Sequence, residues 1–153
     1  MPNLLLKNVN AVLPDGISEN ISILLKEGKI SEITTRETKA DQILDLSGLT
    51  LYAGFIDIHI HGAVGVDVND ARAEELQKMA RFLARQGTTA WLPTFVPDAD
   101  ENYRKTIVEI EKLKKIEEYE TVAQILGVHY EGVFANEMMC GALRPQYFKI
   151  FSG

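Results

Sequence analysis

The 153-residue sequence has one cysteine, Cys140. An intramolecular disulfide is therefore excluded, and without a CxxC pair neither a four-cysteine zinc site nor dithiol redox chemistry can be built. A reducing, cytoplasmic compartment is expected. Basic residues are outnumbered, 16 Lys and Arg against 22 Asp and Glu, for a formal charge of −6. No long basic cluster stands out, so neither a nucleic acid nor an anionic membrane is an expected partner. No apolar run approaches the ~20 residues that span a bilayer, and the opening Met-Pro-Asn-Leu-Leu-Leu-Lys lacks the charged and apolar regions of a secretory signal. What remains is an ordinary globular composition, 46% hydrophobic and 25% charged. A chain of this size buries roughly 68–70% of its unfolded surface, so a metal, where one is bound, serves function rather than folding.

Two rhythms divide the chain. Residues 4–13, 21–25, 29–33 and 43–46 are short β-type runs cut by Pro14-Asp15-Gly16, Lys26-Glu27-Gly28 and Ser47-Gly48, with a polar loop at 36–42. They predict a small antiparallel β-sandwich segment over 1–52. From 53 to 153 the order becomes strand, helix, strand, helix, strand, the signature of parallel βαβ units in an α/β fold. The strand 55–61 alternates Ile56, Ile58 and Ile60 with Asp57, His59 and His61, and its isoleucine face is expected to pack against helices. Asp70 is placed to cap a helix with Glu74 and Glu75 in its first turn, an apolar stripe of Leu76, Met79, Ala80 and Leu83, and Gly87 at its end. A strand over 88–95 follows. Pro97 with Asp98 or Asp100 opens a second helix, with Tyr103, Ile107, Ile110, Leu113 and Ile116 on one face and a solvated charge run from Glu109 to Glu120. A third strand is expected over 122–129 and a third helix from Arg144-Pro145 to Gly153.

Chemistry concentrates at two strand ends. His59 and His61 project from one strand face with Cα atoms roughly 6.6–7 Å apart, close enough for both imidazoles to reach one metal ion. Asp57, one step deeper on that face, can orient an imidazole through its other ring nitrogen. Two histidines on a half-exposed strand are the plainer alternative. The pair runs into the Gly-rich Gly62-Ala63-Val64-Gly65, at the strand C-terminus where α/β folds place their sites. His129 and Glu131 stand at the same position after the third strand. His129 is either a core histidine or part of the site; Glu131 is either a solvated loop residue or a third ligand.

The run from Gly54 to Gly62, Gly-Phe-Ile-Asp-Ile-His-Ile-His-Gly, resembles the first barrel strand of the amidohydrolase superfamily. With Gly65-Val66-Asp67, His129-Tyr130-Glu131-Gly132 and Gly141-Ala142 it is similar to the N-acetylglucosamine-6-phosphate deacetylase branch. The resemblance implies an N-terminal portion of a (β/α)8 TIM-type barrel, and removal of acetate from N-acetylglucosamine 6-phosphate, a small amino-sugar phosphate. It implies a divalent metal, zinc or iron, as one or two ions on Glu131 and the His59–His61 pair. Ala142 and Leu143 match the stretch that meets the sugar, and the catalytic aspartate of the family is expected beyond Gly153. Ala53, Val133 and Leu143 depart from the usual proline, proline and histidine. Leu143 has no hydrogen-bond donor, which leaves a related amide or a cyclic-amidase type of substrate open. A non-catalytic remnant is the remaining alternative. A barrel typically needs about 250 residues. Three strands alone would leave an open edge, with Phe55, Trp91, Leu92 and Ile125 or Leu126 on the barrel-facing side, so a homo-oligomer is expected.

Overall fold

The computed structural model describes residues 2–117 and 121–150. It divides into two compact units, Met1–Ala53 and Gly54–Gly153. Glu118, Tyr119 and Glu120, which close the expected charge run, lie outside the described residues, as do the last three positions of the expected third helix and the side chain of Ile116.

The first unit is a five-stranded sheet in the order β3-β2-β1-β4, with β5 also on β1. Its strands are β1 (Leu4–Leu13), β2 (Gly16–Lys26), β3 (Lys29–Thr34), β4 (Gln42–Asp45) and β5 (Thr50–Leu51). The β2–β3 hairpin turns on Glu27 and Gly28 at φ +51° and +74°. Two successive positive φ angles make a turn whose twist matches that of the flanking strands. Val9 and Ala11 of β1, two residues apart and so on one face, meet Ile21 and Ile23 of β2 in a small core. The antiparallel expectation holds for β1, β2 and β3 but not for the rest, because β4 and β5 run parallel to β1. The polar 35–41 segment carries the chain from β3 to the far side of β1, and such a crossover keeps the strand direction that a hairpin would reverse, so β4 runs the same way as β3 and β1. The unit is therefore one mixed sheet, without a second layer among the described residues, and Ile30 and Ile43 on it are exposed.

The second unit is built on parallel strands. β6 (Phe55–Ile60) is followed by a miniature hairpin, β7 (Gly62–Ala63) and β8 (Val66–Asp67), then helix α1 (Ala73–Arg85), β9 (Thr88–Phe95), α2 (Asp100–Glu117), β10 (Gln124–Ile125) and β11 (His129–Tyr130). β6, β10 and β11 all pair parallel to β9. Helices α1 and α2 cover β9, burying Leu76, Met79, Ala80 and Leu83 with Tyr103, Ile110 and Leu113 around Trp91 and Phe95. Each such large side chain contributes about 1.5–3 kcal/mol by leaving water. The Trp91 indole N–H finds the Ala123 carbonyl at 3.1 Å, so its one polar atom is satisfied inside the core.

Several expectations are corrected. Asp70 does not cap α1. It ends a 3-10 turn, Val68–Asp70, that Asp67 caps by accepting the Asn69 N–H. The start of α1 is held instead by Glu75, which accepts the Arg72 N–H, and by Glu109 of α2, which accepts the Ala73 N–H. The third strand is interrupted at Leu126-Gly127-Val128, and the third helix is a single 3-10 turn, Pro145–Tyr147. Of the isoleucine face of β6 only Ile60 packs on the core, since no described element lies over Ile56 and Ile58, which are 59% and 64% exposed. Trp91 and Ile125 belong to the helix-covered core, not the opposite face, while Phe55 and Leu126 are exposed.

Candidate metal centre

His59 lies in β6 with His61 directly after its end, and His129 lies in β11 with Glu131 directly after its end, both strands pairing with β9. The Nε2 atoms of His59 and His61 are 3.0 Å apart. Glu131 Oε2 lies 2.9 Å from the His61 Nε2 and 3.5 Å from that of His59. The ligand atoms of the three residues all fall within 4.8 Å of one another. The side chains are 36–44% exposed, so the cluster opens to solvent. Two ring nitrogens and one carboxylate oxygen directed at a common point are the donor set of a divalent transition metal, which binds imidazole nitrogen and carboxylate oxygen at about 2.0–2.2 Å.

The other ring atoms have partners. His61 Nδ1 is 3.2 Å from the Thr94 carbonyl oxygen. A carbonyl only accepts, so this contact is a hydrogen bond when Nδ1 holds the ring proton, the tautomer that leaves a lone pair on Nε2 for a metal. His129 stands edge-on to His59, with ring centroids 4.8 Å apart, and its Nδ1 is 3.5 Å from the Thr94 hydroxyl. Asp57 is not brought to an imidazole: its Oδ1 accepts the His59 main-chain N–H at 3.1 Å. The pairing of β6 with β9 slips between Asp57 and Ile60, which takes Asp57 out of phase with the two histidines.

Two glycines let the chain turn tightly beside the ligands. A Cβ on Gly62, directly after His61, would overlap the Val66 carbonyl of the β7–β8 hairpin. Gly132, directly after Glu131, has φ +65°, and a Cβ there would strike Leu143 Cδ1. Leu143 is thus packed next to Glu131's own peptide, while Ala142 is exposed on the loop.

A second constellation lies beyond the ligands and was not legible as such. Asp98 is 3% exposed. It accepts from the Ala99 N–H at 2.7 Å and from the amides of Asn69 and Asn102, and pairs with Arg144 at 3.2 Å. Burial opposes its ionisation, but the Ala99 N–H, the two amides and the Arg144 charge together outweigh it and hold the carboxyl below its ordinary range. Asn69 in turn bonds Val96 on both its amide atoms. The network joins the segment before α1, the β9–α2 turn and the loop bearing Leu143. Asp98 and Arg144 carried only the weaker signals of a helix cap and a helix start.

No family model matches the chain. It is 32% identical, over 97% of its length, to N-acetylglucosamine-6-phosphate deacetylase of Bacillus subtilis, covering 40% of that relative. The crystal structure of N-acetylglucosamine-6-phosphate deacetylase from Pasteurella multocida superposes on 98% of the chain with a TM-score of 0.79 at 28% identity, 39% of that structure being covered. The Thermotoga maritima deacetylase superposes on 97% with a TM-score of 0.76 at 29% identity, with 37% covered. In sequence and in fold the chain is thus similar to N-acetylglucosamine-6-phosphate deacetylases, and it spans about two fifths of the length of these relatives.

Proposed function

We propose that the chain forms part of a metal-dependent deacetylase that removes acetate from N-acetylglucosamine 6-phosphate. The observation that carries this reading is the convergence of His59, His61 and Glu131 within 4.8 Å at the ends of β6 and β11. On this reading residues 1–52 are a β-sandwich segment, and 53–153 are the first βα units of an eight-stranded barrel whose other strands would cover Ile56, Ile58 and Leu126. Copies of the completed protein are expected to associate.

His59, His61 and Glu131 would hold a divalent metal, zinc or iron. When bound, such an ion polarises an amide carbonyl and brings the pKa of water toward neutrality. The chain's own residues supply orientation. The Thr94 carbonyl orients the His61 ring, the Glu131 N–H bonds the Phe95 carbonyl at 2.9 Å, and Leu143 packs close to Gly132, the residue after Glu131. Proton transfer to the leaving amine needs an acid, typically worth 10²–10⁴-fold. It would come from outside this segment.

The test is acetate release from N-acetylglucosamine 6-phosphate with added Zn²⁺. It compares the 153-residue polypeptide with the same polypeptide completed by the remaining segment of the Bacillus subtilis relative. Turnover by the completed protein alone is expected. Turnover by the short chain would remove the need for an outside acid, and a silent completed protein that binds Zn²⁺ would move the substrate to another amide.

A further inference from the structure

We propose that Thr94 is a positioning residue for the histidine pair: its hydroxyl replaces a missing strand hydrogen bond between His59 and His61, and its carbonyl fixes the His61 tautomer. This rests on the metal reading above. Asp57 pairs with Trp91 but Ile60 pairs with Pro93, so three steps along β6 match two along β9. Such a bulge bends the strand and re-aims side chains, and bulges recur beside functional sites. It also displaces a main-chain donor from its regular acceptor. The Ile60 N–H, lying between the two ligands in sequence, donates to the Thr94 hydroxyl at 2.9 Å, and that hydroxyl donates onward to the Leu92 carbonyl at 3.1 Å. The same residue's main-chain oxygen faces His61 Nδ1 at 3.2 Å, and its pairing partner on β11 is His129, two residues before Glu131. Thr94 is fully buried, so water cannot stand in for these bonds.

At the slip the Ile60 N–H goes to the Thr94 hydroxyl, which accepts it and donates in turn to the Leu92 carbonyl, so the residue there must both accept and donate. Serine keeps that function and valine keeps only the shape.

The experiment measures Zn²⁺ affinity by chelator competition for wild type, Thr94→Val and Thr94→Ser, together with the His61 tautomer by two-bond ¹H–¹⁵N correlation in metal-free protein in mildly alkaline buffer. Thr94→Val is expected to bind Zn²⁺ roughly 10–100-fold more weakly, the usual loss when a residue orienting a ligand is removed. Thr94→Ser should stay close to wild type, and metal-free wild type should show His61 protonated on Nδ1. A Thr94→Val protein with wild-type Zn²⁺ affinity overturns the proposal, as does a wild-type His61 protonated on Nε2. Should Thr94→Val fail to fold, the wild-type tautomer and the serine variant decide. A wild type that takes up no Zn²⁺ would sink the metal reading instead, and the tautomer, which needs no metal, would still decide the role of Thr94.

Discussion

Glu131 Oε2 sits 2.9 Å from His61 Nε2 although neither residue's strand pairs with the other's. Both strands hang on β9. β6 and β10 each pair with Ala90 and Trp91 and so occupy opposite edges of it, and β11 continues beyond β10 to Thr94 and Phe95. The side chains meet above the end of β9, which supplies the shared reference for both ligand strands. The carboxylate oxygen stands within 3.5 Å of both imidazole Nε2 atoms, an arrangement a cation between them would stabilise.

Removing the carboxylate charge at that point should therefore weaken the ion and little else. Glu131→Gln is expected to lower Zn²⁺ affinity by roughly two orders of magnitude, at least the loss typical of outer contacts to a metal site. Because Glu131 is part exposed, the thermal midpoint without metal should change little. Calorimetric titration with Zn²⁺ measures the first and circular dichroism the second. Unchanged affinity would exclude Glu131 as a ligand.

Asp98 offers a pH-dependent prediction. Its carboxyl is held below the ordinary range, so it binds its proton more weakly folded than unfolded. The resulting stabilisation is fully present above the unfolded value of about 3.9 and is lost as pH falls through the depressed folded value. Asp98→Asn should cost about 1.5–3 kcal/mol at neutral pH, the worth of hydrogen bonds to a charged group, and should flatten the acid side of the stability profile. Urea midpoints from pH 7 down to pH 3 read both. Parallel profiles for variant and wild type would show that the charge contributes nothing.

Local signals in the sequence read well where the sequence neighbours decide the outcome. β9 spans 88–95 as its β-type composition indicates, and α1 buries the stripe Leu76, Met79, Ala80 and Leu83 and ends before Gly87 at φ +87°. The meeting of His59, His61 and Glu131 followed from strand parity and position at the strand ends. What failed depended on distant partners. Alternation shows which residues of β6 share a face but not that no described element covers Ile56 and Ile58, nor that a slip near Asp57 shifts the phase. The parallel pairing of β4 with β1 and the Asp98–Arg144 pair are likewise set by residues dozens of positions away.

Trp91 is the sole tryptophan, fully buried at the centre of the second unit. Its emission should be blue-shifted in the native protein and move to the red as that unit unfolds. Leu113→Ala, at a fully buried position of α2 in the same cluster, should cost about 2–5 kcal/mol through lost burial and the cavity left behind. The Trp91 transition should shift to lower urea by a matching amount. A shift under about 1 kcal/mol would mean that α2 does not pack on β9 as described.

The last prediction concerns the uncovered side of the second unit. Phe55, Ile56, Ile58 and Leu126 are 62%, 59%, 64% and 57% exposed, and β6 pairs with β9 alone among the described strands. Parallel sheets are normally covered on both faces, and an open edge with apolar side chains recruits another chain. At about 25 cal/mol per Å² of apolar surface, covering even a few such side chains favours association by several kcal/mol before its entropic cost. The 17.1 kDa polypeptide is expected to self-associate at low micromolar concentration, or to pair with a polypeptide supplying the remaining strands. Ile56→Lys with Ile58→Glu should shift the population toward monomer, because burying either charge in such an interface is costly. Light scattering gives the mass directly. A wild-type monomer that unfolds cooperatively would show that the chain closes its own core, and the half-barrel reading would fall with it.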